Sequence, residues 1–210
     1  GAEIATQYIV DQVGEGAKVA ELQGTSGASA AIDRGKGFHN IADEKLEVVA
    51  SQPADFDRTK GMTVMENMLQ ANGDIKAVFA ANDEMALGAM EAISGAGKNV
   101  MVVGFDATDD AIASIKAGQM AGTIAQQPAL IGSTAVTNAL KLINGEEIAK
   151  SIPVEVTLVT EENVETFAEL EQATAVVGDG SIGLAVSTQN NPFFVTLVEG
   201  AQKAADAAGV

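Results

Sequence analysis

Cysteine and tryptophan are both absent from this chain of 210 residues, there is one histidine, and aromatic residues make up only 4%. Without cysteine there are no disulfides, no thiolate zinc sites and no cysteine nucleophiles, although the compartment stays open. Basic residues are scarce as well: 12 Lys and Arg stand against 29 Asp and Glu, a net charge of −17. Such a balance excludes a phosphate-backbone partner, which needs clustered Lys and Arg, and disfavours an anionic membrane surface. No run reaches the ~18 apolar residues of a membrane span, and no basic-then-apolar leader opens the chain. A mature, soluble form with no membrane insertion and no nucleic-acid partner is expected.

Catalytic patterns are missing too. There is no GxSxG elbow and no Walker A sequence. His39 follows Phe38 late in a helical pattern, the setting of a solvated or partly buried ring rather than a base. Gly24–Gly27 reads GTSG after a strand, but no Lys-Ser/Thr follows to complete a phosphate cradle. Asp55, Asp57, Asp83 and Asp106 are scattered, and caps or turns explain them better than a metal site does. Neither an enzyme nor a cofactor is expected.

What is present is a globular pattern, with 47% hydrophobic residues and a mean hydropathy of +0.16. Its clearest unit is Ala77–Met90, AVFAANDEMALGAM. Val78, Phe79 and Ala80 read as the end of a buried strand, Asn82 and Asp83 break the run as natural N-caps, and a helix begins at Glu84. The plan repeats. Helix 1–13 is followed by strands at 17–22, 45–50, 76–80, 100–103 and 122–125, with helices at 59–70, 109–117, 128–143 and through Ile32, Phe38 and Ile41. Repeated strand–helix units of this kind predict an α/β parallel sheet with helices on both faces. Later the rhythm changes: an alternating strand at 152–159, an acidic, weakly helical stretch at 161–172, a Gly-Asp-Gly junction, a strand at 181–187 and a helix at 195–208.

In open parallel sheets, ligands sit outside the carboxyl ends of the strands. Arg34 stands in the first turns of a helix, and Phe56, Asn82, Phe105, Asp106 and Gln126 each stand at or just past a strand end. Together they offer a guanidinium fork, amides, a carboxylate and flat apolar faces. Hydroxyl-rich sugars need that combination, because each hydroxyl both donates and accepts while the ring carries apolar C–H faces.

The same residues carry a likeness. SQPADFDR (51–58), NDEMALGAM (82–90), VVGFDATDD (102–110) and STQNNPFFV (187–195) together resemble the periplasmic ribose-binding proteins, the soluble receptors of ABC sugar importers. The resemblance implies the flavodoxin-like, periplasmic binding protein type I fold, whose two lobes close over one sugar. It implies ribose as ligand, an ABC permease as partner and a periplasmic location. Carried over by motif, it implies sugar contacts from Arg34, Phe56, Asn82, Phe105, Asp106 and Gln126 in one lobe. From the other come Ser187, Asn191, Phe193 and Phe194, the two Phe rings acting as stacking walls. In the family the NNPFF unit comes first in the chain, whereas here it comes last, and the middle of that lobe has no counterpart. The order therefore resembles a circular permutation in an engineered or recombined fragment. One complete lobe (1–125 with 152–168) and fragments of a second (128–150 with 181–210) are expected, joined by a linker at 169–180. The incomplete lobe is expected to favour self-association. Two other readings share the pattern: a scaffold with little sugar affinity, and the sensing core of a sugar-responsive repressor, against which the acidic charge counts.

Overall fold

The computed structural model describes residues 1–167, 181–186 and 191–210. It divides into two units, Gly1–Ala125 with Thr157–Phe167, and Gln126–Val156 with 181–186 and 191–210.

In the first unit, four parallel strands carry the core: β1 (Lys18–Gln23), β3 (Ala77–Ala80), β4 (Met101–Asp106) and β5 (Gly122–Ala125). They are buried almost throughout, as strands covered on both faces by helices must be. β2 (Glu47–Pro53) and β6 (Thr157–Thr160) form the edges, giving the order β2-β1-β3-β4-β5-β6, in which only β6 runs antiparallel to its neighbour. Pro53, which has no N–H to donate, ends β2 on an exposed edge, the place where a sheet tolerates it. The flanking helices are α1 (Ala2–Val13), α2 (Ser29–Lys45), α3 (Arg58–Ala71), α4 (Asp83–Gly95) and α5 (Asp109–Lys116). Phe38 of α2 stacks flat on Phe79 of β3, with ring centroids 5.2 Å apart, so the helix is seated by a fully buried aromatic pair. The methionine stripe of α3 also faces inward: Met65 and Met68 are buried.

The second unit is built on α6 (Pro128–Ile143) and α7 (Pro192–Ala208). Glycines bring these two helices together: a Cβ at Gly200 would stand 2.6 Å from Ala129 Cα, and one at Gly132 would stand 2.8 Å from Ala201 N. Val136, Leu140, Ala201, Ala204 and Ala208 form a small core, with Ile182 packed beside it. Among the described residues no helix is long and apolar enough to cross a membrane.

Several boundaries differ from the sequence reading. β2 continues past Ala50 to Pro53, because Ser51, Gln52 and Pro53 stay in register with Glu21, Leu22 and Gln23. The alternating stretch at 152–159 becomes a strand only at Thr157, since β5 offers just four residues to pair with. Residues 181–186 form no strand, having no strand beside them among the described residues of their unit. α7 begins at Pro192 rather than Val195: Asn191 caps it by accepting the Phe193 N–H at 2.9 Å, and Pro takes the first helical position.

The α3–α4 crossing yields a paired prediction. A Cβ at Gly88 would collide with the Arg58 carbonyl, whereas one at Gly95 meets nothing within 4 Å. Gly88→Ala should therefore cost roughly 1–3 kcal/mol of stability. Gly95→Ala should be neutral or stabilising by up to about 1 kcal/mol. Urea titration followed by circular dichroism reads both; equal effects would refute the close crossing.

Candidate functional site

Backbone strain marks the carboxyl edge of the sheet. The described non-glycine residues with positive φ are Asp55 (55°), Phe56 (61°), Asp106 (120°), Ala107 (57°) and Gln127 (60°). All follow a strand end or close one. Conformations of this kind cost of order 1–3 kcal/mol each and persist only where the surroundings over-determine them.

Asp83 supplies much of that determination. It is fully buried at the start of α4, and its Oδ2 accepts the Thr108 N–H at 2.8 Å and the Thr108 hydroxyl at 3.2 Å. Its Oδ1 accepts the Thr123 hydroxyl at 2.7 Å, and the Thr123 oxygen in turn accepts the Ala107 N–H at 3.2 Å. The carboxyl group thus ties α4, the β4–α5 turn and β5 into one knot. Of the two caps the sequence offers, Asn82 takes the role and Asp83 does not. Asn82 Oδ1 accepts the Met85 N–H at 3.0 Å, and its Nδ2 donates to the Phe56 carbonyl at 3.2 Å. Among the described residues, these two bonds leave one amide hydrogen and one lone pair of Asn82 unused.

Arg34 gathers the rest. Its Nη1 donates to the Ala81 carbonyl at 2.6 Å and lies 3.5 Å from Asp106 Oδ1, while its Cζ sits 4.1 Å from the Phe105 ring centroid and 5.7 Å from that of Phe56. An aromatic face and a carboxylate both stabilise a cation removed from water. Burial lowers the guanidinium pKa from its ordinary value, and Asp106 and Asp83 oppose that shift. The Phe56 ring lies over Gly24, where any Cβ would strike it, and a Cβ at Gly1 would stand 2.6 Å from Phe105 Cζ. Five of the sequence candidates, Arg34, Phe56, Asn82, Phe105 and Asp106, therefore lie together at one sheet edge.

The other candidates fall elsewhere. Gln126 follows β5 directly and belongs to the second unit. Asn191, Phe193 and Phe194 also belong there, the two rings meeting edge to face with centroids 5.2 Å apart at the start of α7. Ser187 lies outside the described residues. Sequence reasoning missed Thr108 and Thr123, whose role depends on a contact between distant segments. It also missed Glu21, a buried carboxylate on β1 whose charge among apolar neighbours was the available signal. Arg58 makes a paired contact with Glu84 (3.0 and 2.9 Å) and a third with Asp110 (2.8 Å), joining α3, α4 and α5 at the rim. No group of His, Asp or Glu among the described residues is arranged to hold a metal ion. A cavity of about 1050 Å³ lies at the opposite sheet edge, lined by Lys18, Lys76 and Met101 among others, and contains none of the candidates.

Comparisons with known proteins place the chain in a family. The family described as "Periplasmic binding protein domain" matches residues 1–147. The chain is 56% identical over 161 residues to the ribose import binding protein of Bacillus subtilis (strain 168), covering 77% of this chain and 53% of that one. It is 42% identical over 154 residues to the D-allose-binding periplasmic protein of Escherichia coli (strain K12), covering 70% and 48%. Among solved structures it resembles a periplasmic solute binding protein of Actinobacillus succinogenes 130z with bound D-allose. The TM-score is 0.76 at 33% identity, covering 80% of this chain and 61% of that one. A periplasmic ribose ABC transporter structure from Conexibacter woesei gives 0.72 at 30%, covering 79% and 58%. The chain spans about half the length of the curated relatives it matches.

The Asp83 knot yields a pH prediction. Burial, with the neighbouring Asp106, pushes its carboxyl up to about 8 from an ordinary 3.8, against the pull of Thr123 and Thr108. Between those two values the folded chain keeps a proton that the unfolded chain releases, so the contribution of Asp83 to stability falls as pH rises through that window. Asp83→Ala removes this slope and also orphans the Thr108 N–H and the Thr123 hydroxyl, at about 1–3 kcal/mol for each buried donor. Thermal unfolding of both chains across the window reads this; an unchanged slope in the variant would contradict it.

Proposed function

The chain belongs to the periplasmic binding protein domain family, and on that premise we propose that it is the ligand-binding part of a solute receptor for a small neutral sugar, D-ribose foremost. One observation carries the reading: a largely enclosed arginine fork held between an aromatic ring and Asp106 at the carboxyl edge of a parallel sheet. The fork donates to ring and hydroxyl oxygens, Asp106 accepts from hydroxyls, Asn82 does both, and Phe56 and Phe105 offer apolar faces to the sugar's C–H surface. Every one of these groups is set before a ligand arrives, which lowers the ordering cost of binding. No nucleophile or poised base stands among them, so capture rather than conversion is the proposed activity.

Gln126, Ser187, Asn191, Phe193 and Phe194 are proposed as the remaining sugar contacts. The units are read as lobes of the receptor: a ligand-binding lobe of 1–125 with 152–168, a partial second lobe of 128–150 with 181–210, and a linker at 169–180. An ABC permease is the proposed partner and the periplasm the proposed compartment, in line with relatives named as import binding and periplasmic proteins. A second reading rests on residues 181–186, an uncharged segment that joins no sheet and exposes Leu184. Copies associating through such a segment would form a scaffold with weakened sugar affinity.

Calorimetry with ribose, paired with light scattering, tests these readings. The receptor reading expects saturable heat from a monomer in the micromolar range. Arg34→Met should weaken binding by about 2 kcal/mol or more, since a buried charged donor is lost. Arabinose and galactose should bind less well. No heat at millimolar ribose would sink the receptor reading, and a monomer at all concentrations would sink the second one.

A further inference from the structure

Glu21 is a buried charge that the sugar site leaves unexplained. It sits in the middle of β1, fully enclosed, and its Oε1 has no hydrogen-bond partner among the described residues. Its Oε2 is crowded: Ser51 Oγ of β2 donates at 2.6 Å, Gln23 Nε2 of β1 donates at 3.1 Å, and His39 Nε2 of α2 lies at 3.2 Å. The unpartnered Oε1 faces Gly35, where a Cβ would stand 3.4 Å away. Residues 35 and 39 are neighbours on one helix face, so the carboxylate is wedged against a single turn of α2. Arg34 is the residue adjoining that turn.

His39 links the wedge to solvent. Its Nδ1 is 2.7 Å from Asp43 Oδ1 while its Nε2 faces Glu21, so both ring nitrogens meet carboxylates, and only the imidazolium can donate to both. Burial lowers the His39 pKa, but the Asp43 hydrogen bond and the fields of Glu21 and Asp43 outweigh it, for a net rise above 6.5. Among the described residues, Glu21 and Asp43 are the charges that act on the ring. On α1, Glu3 is engaged by Asn40 and Gln7 by Lys45, and β2 contributes the neutral Ser51.

We propose that Glu21 is a positioning residue for Arg34: wedged against Gly35 and paired with His39, it sets how α2 seats on β1 and so where the guanidinium lies. The proposal rests on the reading of Arg34 as a sugar contact. A neutral His39 ring donates to only one carboxylate. When it loses its proton, Glu21, already short of one partner in a dry interior, loses a charge-assisted one. Because the charged ring exists below its pKa, the arrangement holds at lower pH and loosens as pH rises through that raised value. The seating of Arg34, and with it sugar affinity, then follows the His39 proton.

The chain contains one histidine and two arginines, Arg34 and Arg58, so nuclear magnetic resonance assigns these signals with little ambiguity. The whole chain is titrated while the His39 ring carbons and the Arg34 Nε–H are followed, with ribose calorimetry in parallel. Arg34 should shift with the same midpoint as His39, and ribose affinity should fall at least about five-fold across that transition. Asp106 and Asp83 also face Arg34, and Asp83 titrates near 8, so Asp43→Asn separates the causes: it should lower the His39 and Arg34 midpoints together. His39→Gln and Glu21→Gln should each abolish this component of the Arg34 shift. An Arg34 signal that stays still while His39 titrates overturns the proposal, as does one that keeps its midpoint in Asp43→Asn. If Glu21→Gln fails to fold, the titration of the unaltered chain and of Asp43→Asn decides. Coupled signals without any ribose heat would uphold the positioning role and defeat only the sugar reading.

Discussion

A carboxyl group without access to water, that of Asp83, holds the carboxyl edge of the sheet together. Asp83 accepts from Thr108 and Thr123, Thr123 accepts from Ala107, and between these contacts runs the turn in which Asp106 and Ala107 take positive φ. Burial holds this carboxyl protonated up to about pH 8, so what it contributes lies in the hydrogen bonds it accepts rather than in a charge. Its effect is specificity: three segments distant in sequence must meet in one geometry or leave polar groups unpaired in the interior. Asp106 inherits its position from that demand, and Arg34 inherits part of its position from Asp106.

The same logic is graded across the first unit. At its centre, apolar packing dominates, with Phe38 stacked on Phe79 and the buried methionines of α3 filling irregular space. Toward the carboxyl edge, polar groups replace apolar ones, yet burial persists at Asn82, Asp83, Asp106 and Thr108. A site built this way keeps its donors and acceptors dry and pre-set, which is what the proposed sugar reading requires. The strained residues at 55–56 and 106–107 belong to this edge, where folding energy is held in a conformation that suits binding. Ion pairs at the rim, such as Arg58 with Glu84 and Asp110, are partly exposed and matter more for joining helices than for stability.

Much of this could be read from the residues. Strand-then-helix units were legible because β3, β4 and β5 are short apolar runs that end in polar residues or glycine, and because Pro128 opens α6. Arg34, Phe56, Asn82, Phe105 and Asp106 were legible as a group because the carboxyl ends of parallel strands converge on one edge whatever their separation along the chain. The start of α7 was also written there, in Asn191 and Pro192, but the run of Phe and Val after them reads equally well as extended chain. Residues 181–186 show the opposite error. Their pattern suits a strand, but a strand exists only where another supplies its hydrogen bonds, and none stands beside them among the described residues.

The amino-acid sequence by itself determined the α/β alternation, the acidic and cysteine-free chemistry, and which side chains gather at the sheet edge, since these follow from local periodicity and chain direction. Only the tertiary structure decided what each polar group does there. It made Asn82 the cap and Asp83 the knot, placed the Arg34 fork against the Phe105 ring, and left one oxygen of Glu21, beside Gly35, without a partner among the described residues. The reason is physical: a side chain's capacity to donate and accept belongs to the residue, but which partner satisfies it is settled by what packing brings within 3 Å and what it shuts away from water.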